Sequence, residues 1–244
     1  MRRVILFLGL SLLLVSCSNV GSQKHTAITT ELSTQPASNG FPVTIELLQG
    51  KAYYHPLIVF WVEDVNGSYI STLYASKSIA TGIFKYGVNS GGKWVEGERR
   101  RPAALPYWAH RRGVKAPDGL LVPSAAAPLP DAVTGATPSG SFVLKTAIPQ
   151  GISTVRFFME VNQTWDWNHY WHNSKFPNDQ EYKTSCQPAV VYSVEVDLAK
   201  GGATYELKPV GHSHPSGATG ELFPDLSTLT TALEIAYKVT VTVP

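Results

Sequence analysis

The chain has 244 residues, and its 20 basic against 18 acidic side chains leave a formal charge of only +2. That balance excludes the concentrated basic surface on which nucleic-acid binding depends, so no nucleic-acid partner is expected. A chain of this length can bury one adequate hydrophobic core.

In chain order, Arg2 and Arg3 precede an apolar run from Val4 to Val15, and Leu14-Val15-Ser16-Cys17 resembles the bacterial lipobox with its lipid-acceptor cysteine. As a helix the run would rise about 18 Å, short of a hydrocarbon core about 30 Å thick. It therefore reads as a signal peptide over residues 1–16 and not as a transmembrane anchor. The acyl chains carried by Cys17 would supply more than one lipid tail, enough for stable membrane anchoring. In lipoproteins of this kind an Asp after the cysteine retains the protein at the inner membrane. Ser18 stands there, which favours the outer membrane, on its periplasmic or surface side. Removing the signal peptide takes away two Arg, and 20 − 2 leaves 18 basic against 18 acidic residues. With Cys17 lipidated, only Cys186 remains, so no intramolecular disulfide forms and Cys186 reads as a small buried residue.

Residues 17–40 are polar and lack apolar periodicity, and they read as a lipidated flexible tether with a reach of roughly 25 Å. Residues 41–244 then read as one domain. Val43, Ile45 and Leu47 alternate with Thr44 and Glu46, as in a strand with one buried face. Leu57 to Val62 is almost continuously apolar, as a central strand would be, and Asn66-Gly67 predicts a tight hairpin to an antiparallel neighbour at Tyr69–Tyr74. Pro102 to Arg112 reads as a short helix, with Gly113 past its end and Arg111 and Arg112 against its C-terminal dipole.

Alternation resumes at Val155, Phe157, Met159 and Val161, and again at Val190, Tyr192, Val194 and Val196. At the C-terminus Ile235, Tyr237, Val239, Val241 and Val243 share one predicted face and Lys238, Thr240 and Thr242 the other. Many strands, Gly/Pro-rich connections and one short helix predict an all-β, immunoglobulin-like two-sheet sandwich with long loops. Two connections, about Gly91–Ser139 and Asn162–Pro188, are longer than a sandwich requires. The first carries Arg99, Arg100, Arg101 and Trp108. The second carries Trp165, Trp167, Tyr170 and Trp171, an aromatic loop whose simplest role is to cap the open end of the sandwich, with stacking on an isoalloxazine ring or a sugar as functional alternatives. Glu96 and Glu98 beside the arginines suggest a solvated mixed-charge turn.

Within the first connection, Asp131-Ala132-Val133-Thr134-Gly135-Ala136-Thr137 resembles the motif Asp-x-x-(Ser or Thr)-Gly-Ala-Thr on which flavin transferases attach FMN. The resemblance implies that the Thr137 hydroxyl takes FMN through its phosphate, that small Gly135 and Ala136 let the transferase close around the segment, and that Asp131 and Thr134 are recognition contacts. Ser216-Gly217-Ala218-Thr219 repeats the tetrapeptide without the Asp, since Ser213 stands in its place. Read without the motif, Asp131–Thr137 is a turn into a strand at Ser141–Thr146, with Asp131 capping backbone amides.

Taken together, Arg101–Trp108, Asp131–Thr137, Gly211–Gly217 and Asp225–Ala232 resemble the periplasmic family called domain of unknown function 2271. The resemblance covers most of the chain after the tether. It implies export, flavin transferase and membrane redox proteins as partners, and a role in electron transfer. His212 and His214 form a His-x-His pair that, with His169 or Asp225, could ligate zinc or copper. No Gly-x-Ser-x-Gly string or other hydrolase signature is present. The expected function is therefore a lipid-anchored covalent FMN carrier and not a catalyst. The rival is a cofactor-free or metal-handling binding or scaffold module of the same fold.

Overall fold

The computed structural model describes Ile28 and residues 30–244; the expected lipidation position Cys17 and the expected signal peptide lie outside the described residues. In chain order the strands are β1 (Thr30–Ser33), β2 (Phe41–Gln49), β3 (Leu57–Glu63), β4 (Tyr69–Ser76), β5 (Ile83–Ser90), β6 (Lys93–Glu98) and β7 (Thr134–Gly135). They continue with β8 (Phe142–Ile148), β9 (Thr154–Asn162), β10 (Val190–Asp197), β11 (Thr204–Glu206), β12 (Lys208–His212) and β13 (Ala236–Thr242). Three short helices intervene: α1 (Lys77–Thr81), α2 (Pro106–Arg112) and α3 (Tyr182–Ser185). None is long and apolar enough to cross a membrane.

The strands form a five-stranded sheet ordered β1-β8-β2-β13-β11, a six-stranded sheet ordered β12-β10-β9-β3-β4-β7, and a separate β5-β6 hairpin. The all-β sandwich expected from the sequence is what the chain builds. Its main core lies between the two sheets, where Val43, Ile45 and Leu47 meet Ile58, Phe60 and Val62, and Phe157 and Met159 meet Val239 and Val241. Each such side chain contributes roughly 1.5–3 kcal/mol by leaving water.

The six-stranded sheet is covered on its other face as well. Val59, Trp61, Phe158 and Val191 point away from the sandwich and pack under Leu105, Trp108, Val122 and Leu129 of the long connection. Burial on both faces explains the continuous apolar run of β3. Trp61 stacks on Phe158 with ring centroids 4.9 Å apart and planes 11° apart.

The helix α2 sits on this outer face. Its first turn begins at Pro106, whose missing N–H costs nothing there, and it ends at Gly113 in the left-handed conformation that glycine adopts without penalty. The predicted start at Pro102 was early: residues 102–104 form a turn before the helix. Two acidic side chains of the sheet hold the helix. Glu160 of β9, fully buried, accepts the backbone N–H groups of Tyr107 at 3.2 Å and Trp108 at 2.8 Å. Glu63 of β3 takes Arg111 in a two-point ion pair, Nε to Oε1 at 2.8 Å and Nη2 to Oε2 at 2.6 Å, and Trp61 Nε1 donates to the same carboxylate at 2.9 Å.

Other differences from the expectation have local causes. Thr30–Ser33, assigned to the tether, pairs in parallel with β8, and the buried Thr34 hydroxyl donates to the Leu73 carbonyl at 2.7 Å. Structure therefore begins before residue 41. A register shift between Ala236 and Lys238 turns Tyr237 outward, leaving it 52% exposed, although Val239, Val241 and Val243 keep the predicted inner face. In the hairpin β5-β6, β6 falls inside the connection expected from about Gly91 and β5 on residues assigned no element, and helices α1 and α3 join the one predicted.

Burial pushes the Glu160 carboxyl from its ordinary 4.5 up to about 8, against the lowering pull of the two N–H bonds and of the Ser213 hydroxyl. Across that window the folded chain holds a proton that the unfolded chain has released, so this residue's contribution to stability falls as pH rises. Urea unfolding of the wild type minus that of Glu160→Gln should show this negative slope between about pH 5 and pH 8 and level off below it. Glu160→Leu, which strands both N–H groups, should cost about 2–4 kcal/mol, at 1–2 per group.

Candidate functional site

One end of the six-stranded sheet gathers the residues of interest. It is the end at which β3 begins and β4 and β9 finish, because Leu57 pairs with Asn162 and Val59 with Ala75. The segment Asp131–Thr137 lies there at the sheet edge. Asp131–Val133 makes one 3-10 turn, and Thr134-Gly135 then pairs in parallel with Ala75-Ser76. Val133 and Pro138 are buried at its two sides, while Asp131 and Ala136 are exposed and Thr134, Gly135 and Thr137 are half-buried. The turn is closed by the Asp131 backbone carbonyl, which accepts the Thr134 N–H. The expected side-chain cap is not what shapes it.

The residue types have local reasons. A Cβ on Gly135 would stand 2.9 Å from the Tyr74 ring, so only glycine lets the strand lie on that tyrosine. The Tyr74 hydroxyl donates to the Ala136 carbonyl at 2.9 Å. Thr137 Oγ1 donates to Ser76 Oγ at 2.9 Å, and the same Ser76 oxygen accepts the Ile58 N–H at 3.0 Å. The Thr137 hydroxyl, where the motif would place FMN, is thus half-buried and engaged with a buried serine.

A cleft of about 620 Å³ also opens on the surface, and only its Trp165 and arginine walls were marked by a sequence pattern. Its walls come from five separate stretches: Tyr54 and His55, Tyr86 and Trp94 of the β5-β6 hairpin, Arg99 and Arg101, Thr164 and Trp165, and Thr184. Tyr54, Tyr86, Trp94 and Trp165 are all more than half exposed. Arg101 lies over the Phe84 ring at 4.5 Å and donates through Nη1 to Thr164 Oγ1 at 2.6 Å, while its buried Nε has no hydrogen-bond partner among the described residues. Arg100 turns the other way, onto Asp118 and the Val122 carbonyl. The arginine run is therefore not the solvated turn expected from Glu96 and Glu98. Glu98 instead accepts the Ala125 N–H at 3.2 Å.

The aromatic loop divides. Trp171 is buried in the main core and donates Nε1 to Thr228 Oγ1 at 3.0 Å, as a cap on the sandwich should. Trp165 and Trp167 stay exposed. Cys186 is a buried free thiol.

The histidine pair is built into the packing. His212 is buried with its ring stacked on Phe223, centroids 5.3 Å apart, and Nδ1 lies 2.8 Å from the Ser213 carbonyl. Burial lowers its pKa, outweighing the bond to Ser213 and the nearby Asp225 carboxylate. His214 Nδ1 accepts the Ser216 N–H at 3.2 Å. His169 is exposed on the aromatic loop. Among the described residues no group of three or more His, Cys, Asp or Glu side chains is placed to hold a metal ion. The second string, Ser216–Thr219, forms a turn whose Gly217 N–H donates to the His214 carbonyl at 3.1 Å; it pairs with no strand.

No family profile, curated protein or solved structure matches this chain.

Ser76→Ala removes the partner of both Thr137 and Ile58 and should destabilise the chain by about 1–2 kcal/mol. Amide hydrogen exchange should locate the effect. Exchange should rise in residues 131–138 while β9 and β10 keep their protection; uniform acceleration would show instead that the bond braces the whole sheet.

Proposed function

We propose that the protein is a cell-envelope lipoprotein, held to the membrane through Cys17, that carries FMN covalently on Thr137 and passes electrons among extracytoplasmic partners. The observation that best supports this reading is the placement of Asp131–Thr137. Thr134-Gly135 is the edge strand of its sheet, paired only with Ala75-Ser76, and the 3-10 turn before it leaves the recognition residue Asp131 in solvent. A modifying enzyme can approach such an edge without disturbing the core.

Attachment needs FAD as co-reactant and a flavin transferase as catalyst. Thr137 Oγ1 would attack the phosphorus on the riboflavin side of the pyrophosphate; the new O–P bond replaces the P–O–P bond, AMP leaves, and the hydroxyl proton passes to a base of the transferase. Freeing the hydroxyl first costs the Thr137–Ser76 hydrogen bond, about 0.5–1.5 kcal/mol, which a transferase can offset by binding the segment. When bound, FMN would supply reversible one- and two-electron chemistry. Thr137 would hold it, and Asp131, Thr134, Gly135 and Ala136 would present the segment.

A second reading has one specific observation behind it. Gly135 under Tyr74 and Thr137 on Ser76 together close the edge of the sheet, which is work that a cofactor-free binding or scaffold module would need too.

Co-expression with a flavin transferase, followed by peptide mass spectrometry, separates the two. FMN mass should appear on the peptide containing Thr137, be lost in Thr137→Ala and persist in Thr137→Ser, with the peptide containing Thr219 unmodified throughout. An unlabelled Thr137 peptide beside a labelled positive control would overturn the carrier reading.

A further inference from the structure

The aromatic walls, the paired guanidiniums and the position of the cleft are unexplained by packing. Four large aromatic side chains stand in solvent around one cleft, with exposures of 77% for Tyr54, 61% for Tyr86, 56% for Trp94 and 64% for Trp165. Scattered single exposed aromatics are ordinary on a protein surface; four facing one cavity are not. The volume, about 620 Å³, is that of a small-molecule site and not of a protein-docking groove.

Two of the wall residues are also strained. His55 has φ of 50° and Trp165 φ of 58°, the left-handed region that a bulky side chain adopts at a cost of about 1–3 kcal/mol each. Trp165 is pinned in this state by its N–H to the Thr184 carbonyl at 3.2 Å and by the next residue's N–H to Ser185 at 3.0 Å. The indole is thereby held out over the cleft.

The charge at the cleft is positive. Burial disfavours the Arg101 charge and the neighbouring Arg99 adds to this, while Glu181 opposes it; Glu181 in turn feels both arginines. Arg101 is already fixed by Phe84 and Thr164, so its guanidinium is aimed without further ordering. Flat ring faces beside oriented cations suit a planar heteroaromatic ring that bears negative charge or accumulates it.

We propose that this cleft binds a flavin ring, seating it between Trp165 and the Tyr86–Trp94 wall with its electron-rich edge toward Arg99 and Arg101. The source of the ring can be the FMN tethered at Thr137, a version that rests on the carrier reading, or free FMN. Proximity supports the tethered version. His55 precedes Ile58 by three positions, which span at most about 11 Å of extended chain. Ile58 and Thr137 meet on the same Ser76 oxygen. A guanidinium at the ring edge would favour the reduced, anionic form of the ring and so raise its potential.

The test uses the full chain in two states. First, Thr137→Ala, which cannot be labelled at that site, is titrated with FMN while flavin fluorescence is followed, with AMP as a second planar anion. Saturable quenching is expected, weakened about tenfold or more by Trp165→Ala, as for other stacked rings, and also weakened by Arg99→Gln. Both positions are exposed, so folding should be retained, and unchanged thermal melting checks this. Competition by AMP with equal strength would overturn the assignment to flavin. Second, the labelled wild type is compared with labelled Trp165→Ala. A perturbed flavin absorption band that reverts in the variant while the mass label stays intact supports docking of the tethered ring. Label present, a spectrum like free FMN in both proteins and no quenching in the titration would overturn the cleft while leaving the carrier reading intact. No label, with Trp165-dependent binding of free FMN, would overturn the carrier reading and uphold the cleft.

Discussion

The bond between the Glu160 carboxyl and the first turn of α2 is the constraint on which the rest of the molecule depends. A sheet whose strands carry apolar side chains on both faces must be covered twice. The five-stranded sheet covers one face and offers its own regular backbone pairing in doing so. The other face is covered by the irregular chain between β6 and β7, which brings unpaired N–H groups down onto apolar side chains. Such groups are costly to bury without partners. Glu160 supplies partners for two of them from within the sheet, and the Glu63–Arg111 pair holds the other end of the same helix. A helix of seven residues has little stability of its own, so its position is set by these contacts and by Trp108 beneath it.

Fixing α2 fixes both ends of the layer that contains it. Upstream, the chain enters from β6 through Arg99, Arg100 and Arg101, and the splay of these three side chains follows from the entry path: Arg100 turns onto Asp118, Arg101 onto Phe84 and Thr164. Downstream, the chain leaves under Leu129 and Val133 and has to pass the edge of β4 before it can cross to β8 in the other sheet. Asp131–Thr137 is that passage. The segment Asp131–Thr137 and the arginine side of the cleft are therefore two exits of one anchored layer.

Much of the sandwich was legible because period-two alternation reports one-sided burial directly, and β2 and the end of β13 follow it; β9 and β10 alternate in sequence but are buried on both faces over Phe157–Asn162 and Val190–Tyr192. The outer layer left no such mark. Glu160 falls on the polar side of the β9 alternation, where it reads as a solvent-facing residue; its burial is decided by a connection more than 50 positions away in sequence (160 − 107 = 53). β1 has only Leu32 as an apolar residue in its four positions, too little pattern to distinguish it from tether. The β5-β6 hairpin was missed although Gly91-Gly92 marks its turn, because both strands are largely exposed and carry little alternation. The inversion of Tyr237 comes from a bulge, which periodicity assumes away. The motif Asp131–Thr137 was visible as a string, but the tyrosine under Gly135 and the serine beneath Thr137 were not.

The cleft was out of reach of sequence reasoning for a different reason, and that reason bears on its chemistry. Its walls share no element, yet the backbone at His55 and Trp165 is held away from the conformations those residues prefer. Folding alone would relax either strain by a small local change, since neither side chain gains burial from it: Trp165 is largely exposed. The neighbouring hydrogen bonds that prevent this relaxation, from the Tyr54 N–H to Gln163 Oε1 and from the Trp165 and Asp166 N–H groups to the Thr184 and Ser185 carbonyls, tie both wall residues to the end of the doubly covered sheet. Stability gained in the layers is thus spent on holding aromatic faces toward water. A flat ring stacked on those faces, as proposed above, would offset that cost by replacing the water they hold.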